Sequence, residues 1–164
     1  EAFLRYAGPH EEDLQACDLR ETCDAAARFL RADLANRRIE LALEKPDGPV
    51  RVCATPIHLL QVLMNLILNA ADASEEGGLI VLRLGRSKRR AFMEVADEGR
   101  GIPLEHRDKI FDPFFSTKEG GAGLGLPICR RLVSEAGGTL GYAPREPRGS
   151  VFRVELPLIR RAAP

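Results

Sequence analysis

Apolar residues along this chain switch between two spacings, and the switches mark its elements. Over residues 20–36, and again after Thr55, they recur every three or four positions, as on an amphipathic helix. Elsewhere they alternate with polar residues. Residues 39–43, 50–54, 79–84, 91–96, 139–142 and 150–156 therefore read as strands. Lys45-Pro-Asp-Gly48 separates the first two, which predicts a hairpin, and the last two predict a closing hairpin. Thr55-Pro56 supplies an N-cap threonine and a proline at the first helical position. The helix that follows is expected to run to about Ser74 and to stop at Gly77-Gly78. Residues 103–110 predict a short helix, residues 111–122 a long loop without periodicity, and residues 123–136 another helix. Residues 2–7 read as the tail of a helix ended by Gly8-Pro9. Strands and helices are mixed without the strict alternation of a doubly wound sheet.

Composition narrows the class without naming a function. A chain of 164 residues fits one domain with an ordinary core. Lys and Arg balance Asp and Glu at 24 each, so no net charge points to nucleic acid or an acidic membrane surface. The basic run Arg86-Ser-Lys-Arg-Arg90 lies between two alternating segments and reads as a solvated hairpin tip. Cys17, Cys23, Cys53 and Cys129 are scattered with no Cys-x-x-Cys, which argues against a zinc site and gives no disulfide framework. A reduced, cytoplasmic setting is expected. No apolar run approaches the roughly 20 residues of a membrane-spanning helix, and no signal peptide is visible. The chain begins at Glu1 without methionine, as a piece of a longer protein would, and an upstream membrane segment stays open.

Candidate chemistry concentrates in three places. Gly120-Gly-Ala-Gly-Leu-Gly-Leu126 runs directly into a predicted helix. A helix N-terminus carries orphan N–H groups and partial positive charge, and glycine lets a guest come close, so this loop suits a phosphate. A flexible connector is the other reading of this segment alone. In the helix after Pro56, Leu60, Met64, Ile67 and Ala71 share an apolar face. His58, Gln61, Asn65, Asn69 and Asp72 form a second stripe, read either as a solvent face or as a ligand-facing one. Asparagine is a poor mid-helix residue. Two of them one turn apart suggest amide oxygens aimed at a ligand, of the hard, neutral kind that suits Mg²⁺. Finally, Asp97-Glu-Gly99-Arg-Gly101-Ile102 follows a strand directly. Its glycines mark a turn with close backbone approach, and Asp97 could accept from a ligand amine.

Taken together, Asn65-Leu-Ile-Leu-Asn69-Ala, Asp97-Glu-Gly-Arg-Gly101, Phe111-Asp-Pro-Phe-Phe115 and Gly121-Ala-Gly-Leu-Gly-Leu126 occur in this order at suitable spacings. They resemble the N, first G, F and second G boxes of the ATP-binding catalytic domain of sensor histidine kinases. The wider superfamily also holds gyrase, heat-shock chaperone and mismatch-repair ATPases. Gln61 to Asn65, Ala70 to Ala73 and Phe114-Phe-Ser-Thr-Lys118 look like the nitrogen-regulation type. The resemblance implies an α/β two-layer sandwich, a mixed sheet with about three helices on one face. Residues 11–158 would be the ATP-binding unit, residues 1–10 the end of an upstream hairpin and linker, and residues 159–164 a tail. It implies that Asn69 holds the Mg²⁺ bridging the ATP phosphates, with Asn65 close by. Asp97 would accept from the adenine amino group, and Gly99, Gly101 and Ile102 would lie against the base. Residues 111–122 would be a mobile lid, and Gly121, Ala122, Gly123, Leu124 and Gly125 would line the phosphates. Ala122 departs from the threonine of many relatives, removing a hydroxyl but keeping the N–H. Lys118 either pairs with a phosphate or is a solvated lid charge.

The same resemblance separates transfer from hydrolysis. Superfamily hydrolases carry glutamate four residues before the Mg²⁺ asparagine, as general base for water. Here that position is Asn65, without useful basicity, which favours phosphoryl transfer to a nucleophile brought by a partner. The implied acceptor is a histidine on a helical hairpin ahead of this domain, and a response regulator would act downstream. His10 reads as linker, His58 as a surface or packing residue, and residues 1–7 as the last turns of that hairpin. The chain alone is thus expected to bind ATP without phosphorylating itself. His106-Arg-Asp108 imitates a Ser/Thr-kinase loop, but the position five after Asp108 is Pro113, and there is no phosphate-binding Gly-Lys-Ser/Thr loop. Two rival readings share the boxes: a serine kinase of anti-sigma type and a non-catalytic nucleotide sensor. A clamp-type ATPase ranks last because Asn65 replaces the glutamate.

Overall fold

One helix with a broad apolar arc and two with narrower stripes need a single surface to cover, and the strands supply it. The computed structural model describes residues 14–118 and 120–159. The expectations for residues 1–7, His10, the 1–10 boundary and residues 160–164 fall outside the described residues. The elements are β1 (Gln15–Asp18), α1 (Leu19–Asn36), β2 (Glu40–Glu44), β3 (Arg51–Ala54), α2 (Pro56–Ala73), β4 (Leu79–Arg86), β5 (Arg90–Asp97), α3 (Gly125–Glu135), β6 (Thr139–Pro144) and β7 (Ser150–Pro157). A mixed sheet of five strands runs in the order β2-β4-β5-β7-β6, and β1 and β3 form a separate antiparallel pair.

Alternation along the strands sorts the two faces. Ile80, Leu82, Met93, Val95, Phe152 and Val154 point to the helices and are buried. The opposite face carries a cross-strand charge ladder. Arg83 bridges Glu44 at 2.7 Å and Glu94 at 3.4 Å, while Arg153 bridges Glu94 and Glu155 at 2.8 Å each. The three helices lie together on the apolar face, which gives the expected two-layer arrangement.

The predicted hairpin between residues 39–43 and 50–54 does not form. β2 instead pairs parallel with β4, Glu40 opposite Leu79 through Glu44 opposite Arg83. β3 pairs with β1, Ala16 opposite Cys53. Pro46 and Pro49 lie between the two strands and deny the turn backbone donors. The Asp18 carboxylate clasps the junction: it caps α1 through the Arg20 N–H and also accepts from the Val50 N–H, each at 3.1 Å. β1 has only four residues, two of them exposed, so its sequence carries no alternation to find. The predicted helix over residues 103–110 is reduced to a 3₁₀ turn at Leu104–His106.

Helix α2 begins at Pro56 behind Thr55, as predicted, and is the central helix, touching α1, α3, β4 and β5. Its buried arc is wider than the predicted stripe and rotated from it: of the four predicted residues Ile67 and Ala71 are buried, Leu60 and Met64 are not. Leu59, Val62, Leu63, Leu66 and Ile67 are fully buried, whereas Leu60 and Met64 flank the core half-buried. A helix with neighbours on three sides buries more than the roughly 100° face of a surface helix. Leu63→Ala is expected to lower the unfolding free energy by about 2–5 kcal/mol. Leu60→Ala should cost clearly less, as read by urea denaturation; the reverse order would restore the narrower stripe.

Candidate functional site

The polar stripe of α2 forms one wall of a cavity of about 310 Å³, at the low end of small-molecule sites. The end of β5 forms its floor, and the loop over residues 111–124 with the first turn of α3 closes it. Asn65, Asn69, Asp97, Gly101, Ile102, Lys118, Gly121, Ala122, Gly123, Leu124 and Gly125 all line it. Of the predicted site residues only Gly99 does not; it stands behind Asp97.

Gly99 is there because nothing larger fits. A Cβ on it would stand 2.3 Å from the Ala73 carbonyl oxygen, at the C-terminus of α2. The neighbouring Arg100 N–H donates to that same oxygen at 3.1 Å. The turn therefore docks on the helix, and the Gly99 N–H donates to Asp97 Oδ1 at 2.8 Å. Gly149 completes the corner. Its φ is +116°, and a Cβ would overlap the Asp97 carbonyl oxygen. Pairing of β5 with β7, Ala96 opposite Val151, brings this glycine and Ser150 to Asp97.

Asp97 is only 2% exposed. Burial pushes its carboxyl above the usual carboxylate range, and the Gly99 and Ser150 backbone N–H groups and the Arg145 charge offset this only in part. The folded state thus disfavours the charged form relative to the unfolded chain. Its contribution to stability is fully present below the ordinary value of 3.8 and is lost as pH rises through the raised folded value.

The other end of the cavity is organised by charge. Lys118 Nζ, from the lid, donates to Asn69 Oδ1 at 2.9 Å and to Asp72 Oδ2 at 2.6 Å. Arg37, just past the end of α1, holds the other Asp72 oxygen at 2.7 Å. Burial alone would raise the Asp72 carboxyl, but hydrogen bonds from Lys118 and Arg37 hold it below the usual range. An ammonium resting on Asn69 and Asp72 shows that this spot collects positive charge, which fits the cation that Asn69 is expected to hold. Among the described residues no cluster of three or more His, Cys, Asp or Glu side chains could hold a metal by itself. A cation here would need a ligand's own oxygens to complete its shell.

The glycine run acts first on the fold of the lid. Gly123 sits at φ +67°, where a Cβ would fall 2.4 Å from the Phe114 carbonyl carbon, and its carbonyl accepts from the Phe114 N–H at 2.9 Å. α3 starts at Gly125 behind Leu124, without a side-chain cap, which leaves orphan N–H groups at the cavity rim. Asn65 lies against this first turn, its Nδ2 donating to Cys129 Sγ at 3.1 Å.

Neither described histidine lines the cavity. His58 Nδ1 is 3.9 Å from Glu135, and His106 packs on Phe115 with ring centroids 5.4 Å apart. The described cysteines are all free, as the spacing implied. The residue reading missed Arg37, Cys129, Gly149, Ser150 and Phe152. Asp72 stood in the polar stripe without a role, and Cys129 lies four residues after Gly125, a spacing that places both on one helix face. Nothing local marks residues 149–152, which reach the site through strand pairing.

Because the raised Asp97 value opposes folding above it, Asp97→Asn is expected to leave thermal stability at neutral pH equal or higher. Its stability should also lose the parent's rise on moderate acidification, as read by thermal melts from pH 4 to 8.

Comparisons with known proteins agree with this geometry. The family model of histidine kinase-, DNA gyrase B- and HSP90-like ATPases matches residues 54–160. The chain is 36% identical over 156 residues to the sensor histidine kinase ZraS of Escherichia coli K12, covering 95% of this chain and 34% of that protein. It is 40% identical over 127 residues to sporulation kinase C of Bacillus subtilis, covering 77% of this chain and 29% of that protein. It therefore spans about a third of the length of the curated relatives it matches. The catalytic domain of histidine kinase ThkA superposes with a TM-score of 0.81 at 33% identity, over 88% of this chain and 95% of that one. Full-length ShkA in complex with AMPPNP gives 0.80 at 30% identity, over 92% and 32%. The chain belongs to the histidine kinase-, DNA gyrase B- and HSP90-like ATPase family, within which its relatives are sensor histidine kinases.

Proposed function

We propose that this chain binds MgATP in the cavity and donates the γ-phosphoryl group to a histidine on a helical hairpin outside it, as a sensor histidine kinase would. The observation that carries the reading is the lining itself: among its described residues Asp97 is the one carboxylate, and it is committed to the buried floor. The opposite wall presents amides, Asn65 and Asn69. Among the described lining residues that wall holds no carboxylate or imidazole to deprotonate water, while binding and orientation are provided for, which is what transfer to an external nucleophile requires.

The roles follow the charge. Asp97 would accept from the adenine amino group, with Gly101 and Ile102 against the base. Asn69 would hold the Mg²⁺, which when bound neutralises phosphate charge. Lys118 would exchange Asn69 for a phosphate oxygen. Gly121 to Gly125 would offer backbone N–H groups to the phosphates, Ala122 included. The ATP-binding unit would extend over residues 11–158, with the chain before it belonging to the phosphoacceptor hairpin and the nitrogen-regulation type of kinase as its subgroup.

Relatives support the partners of this reading. ThkA is known in complex with the response regulator TrrA and is 30% identical to this chain with a TM-score of 0.78. A response regulator is proposed here as well. Among the described residues no helix is long and apolar enough to cross a membrane. The catalytic unit is proposed to work in the cytoplasm, with no nucleic-acid partner.

Titration calorimetry tests the reading. ATP should bind, and Mg²⁺ should tighten it. Asn69→Ala should remove most of that Mg²⁺ increment, on the order of tenfold, as for one hydrogen bond or ligand to a charged group. Asp97→Asn should abolish measurable binding in either condition. Absence of ATP binding by the parent chain would overturn the assignment.

A further inference from the structure

Asn65 has two chemically different ends at its amide, and only one can face the phosphates. An oxygen turned to the cavity attracts a metal ion or its bound water; an N–H₂ group attracts phosphate oxygen. The terminal torsion of asparagine is broad and roughly two-fold, so a neighbour must choose between them. Two contacts meet the amide from α3. A Cβ at Gly125 would stand 2.7 Å from Nδ2 and 3.0 Å from Oδ1, so the amide lies flat on the first residue of that helix. One turn further on, Cys129 Sγ accepts from Nδ2 at 3.1 Å.

Cys129 is 0% exposed. Burial pushes its thiol up, an effect that the Asn65 hydrogen bond offsets only in part, so the sulfur is neutral and protonated at physiological pH. The thiol's own hydrogen is directed to the Val62 carbonyl oxygen at 4.0 Å, one turn before Asn65 on α2. A protonated sulfur with its hydrogen turned toward Val62 offers Asn65 a lone pair, which only the N–H₂ end can use.

We propose that Cys129 is a positioning residue for Asn65: its sulfur takes the amide nitrogen and so turns Oδ1 toward the cavity, beside Asn69. The inference rests on the MgATP reading of the site. Asn69 then has an oxygen-bearing neighbour one turn away, and the two amide oxygens would together face a cation held there. The side chain that replaces a hydrolase's base is given one fixed orientation.

The test has a readout independent of nucleotide. In the nucleotide-free, ¹⁵N-labelled chain, the Asn65 side-chain amide pair is assigned by its disappearance in Asn65→Asp. In the parent it should be shifted from the free-amide position and slow to exchange. Cys129→Ala should return it to the free position and shrink the ratio of ATP affinities with and without Mg²⁺ about tenfold. Cys129→Ser, which retains an acceptor, should restore much of both. Val133→Ala removes buried volume from the same helix, one turn beyond Cys129. It should lower the melting temperature and leave the amide signal and the Mg²⁺ ratio unchanged. An amide signal unmoved by Cys129→Ala, or an equal loss of the Mg²⁺ ratio in Val133→Ala, would overturn the proposal. Failure of the parent to bind ATP would instead remove the functional reading while the amide signal still reports on Cys129.

Discussion

Helix α2 is anchored by the sheet and the two other helices, and that anchoring points its amides. Leu63, Leu66 and Ile67 are fully buried, which fixes the helix in rotation as well as position. With 3.6 residues per turn, Asn65 and Asn69 are then carried to one wall of the cavity. A rotation of the helix by one residue would place a leucine there. The core and the site are therefore one constraint, because the same residues that exclude water also aim the polar stripe. A helix of such apolar content tolerates mid-helix asparagines because packing, rather than propensity, holds it together.

A second constraint acts at the floor. Asp97 is buried at the end of a central strand, which disfavours its charge. It is kept there by a turn that only glycines can make: Gly99 against the end of α2, and Gly149 against the Asp97 carbonyl. One acid held against its own desolvation suits the acceptor role proposed for it toward a ligand amine. The opposite end is softer. Lys118 and Arg37 share Asp72, and the lysine also rests on Asn69, so this end of the lid is tied to the wall by polar contacts of one side chain. Such contacts between partly exposed groups are weak and exchangeable, which suits the proposed transfer of Lys118 to a phosphate oxygen.

The local chemistry of the site was legible because it rests on short segments. The asparagine pair, the Asp-x-Gly-x-Gly turn and the glycine run are each contiguous, and their order identified the family. The start of α2 followed from Thr55-Pro56 and its end from the glycines after it. Long-range choices were not legible. Residues 39–43 alternate equally well in a hairpin or in a parallel pair, and the β1 strand is too short and too exposed to show a pattern. The core face of α2 was drawn too narrow because amphipathicity at one surface cannot show neighbours on three sides. Gly149 and Cys129 reach the site from distant sequence, through strand register and helix packing. Lys118 stood open between a phosphate contact and a solvated charge; it is bound to Asn69 and Asp72, a partner set that only the folded lid creates.

The central claim is that these residues hold ATP for transfer to a histidine rather than to water. It is tested most directly by incubating the chain with γ-³²P-labelled ATP and Mg²⁺, alone and with the phosphoacceptor hairpin of its own protein. The account predicts alkali-stable, acid-labile phosphohistidine on the hairpin, none on this chain, and little free phosphate when the hairpin is absent. Rapid release of phosphate by the chain alone, with no label reaching the hairpin, would contradict it.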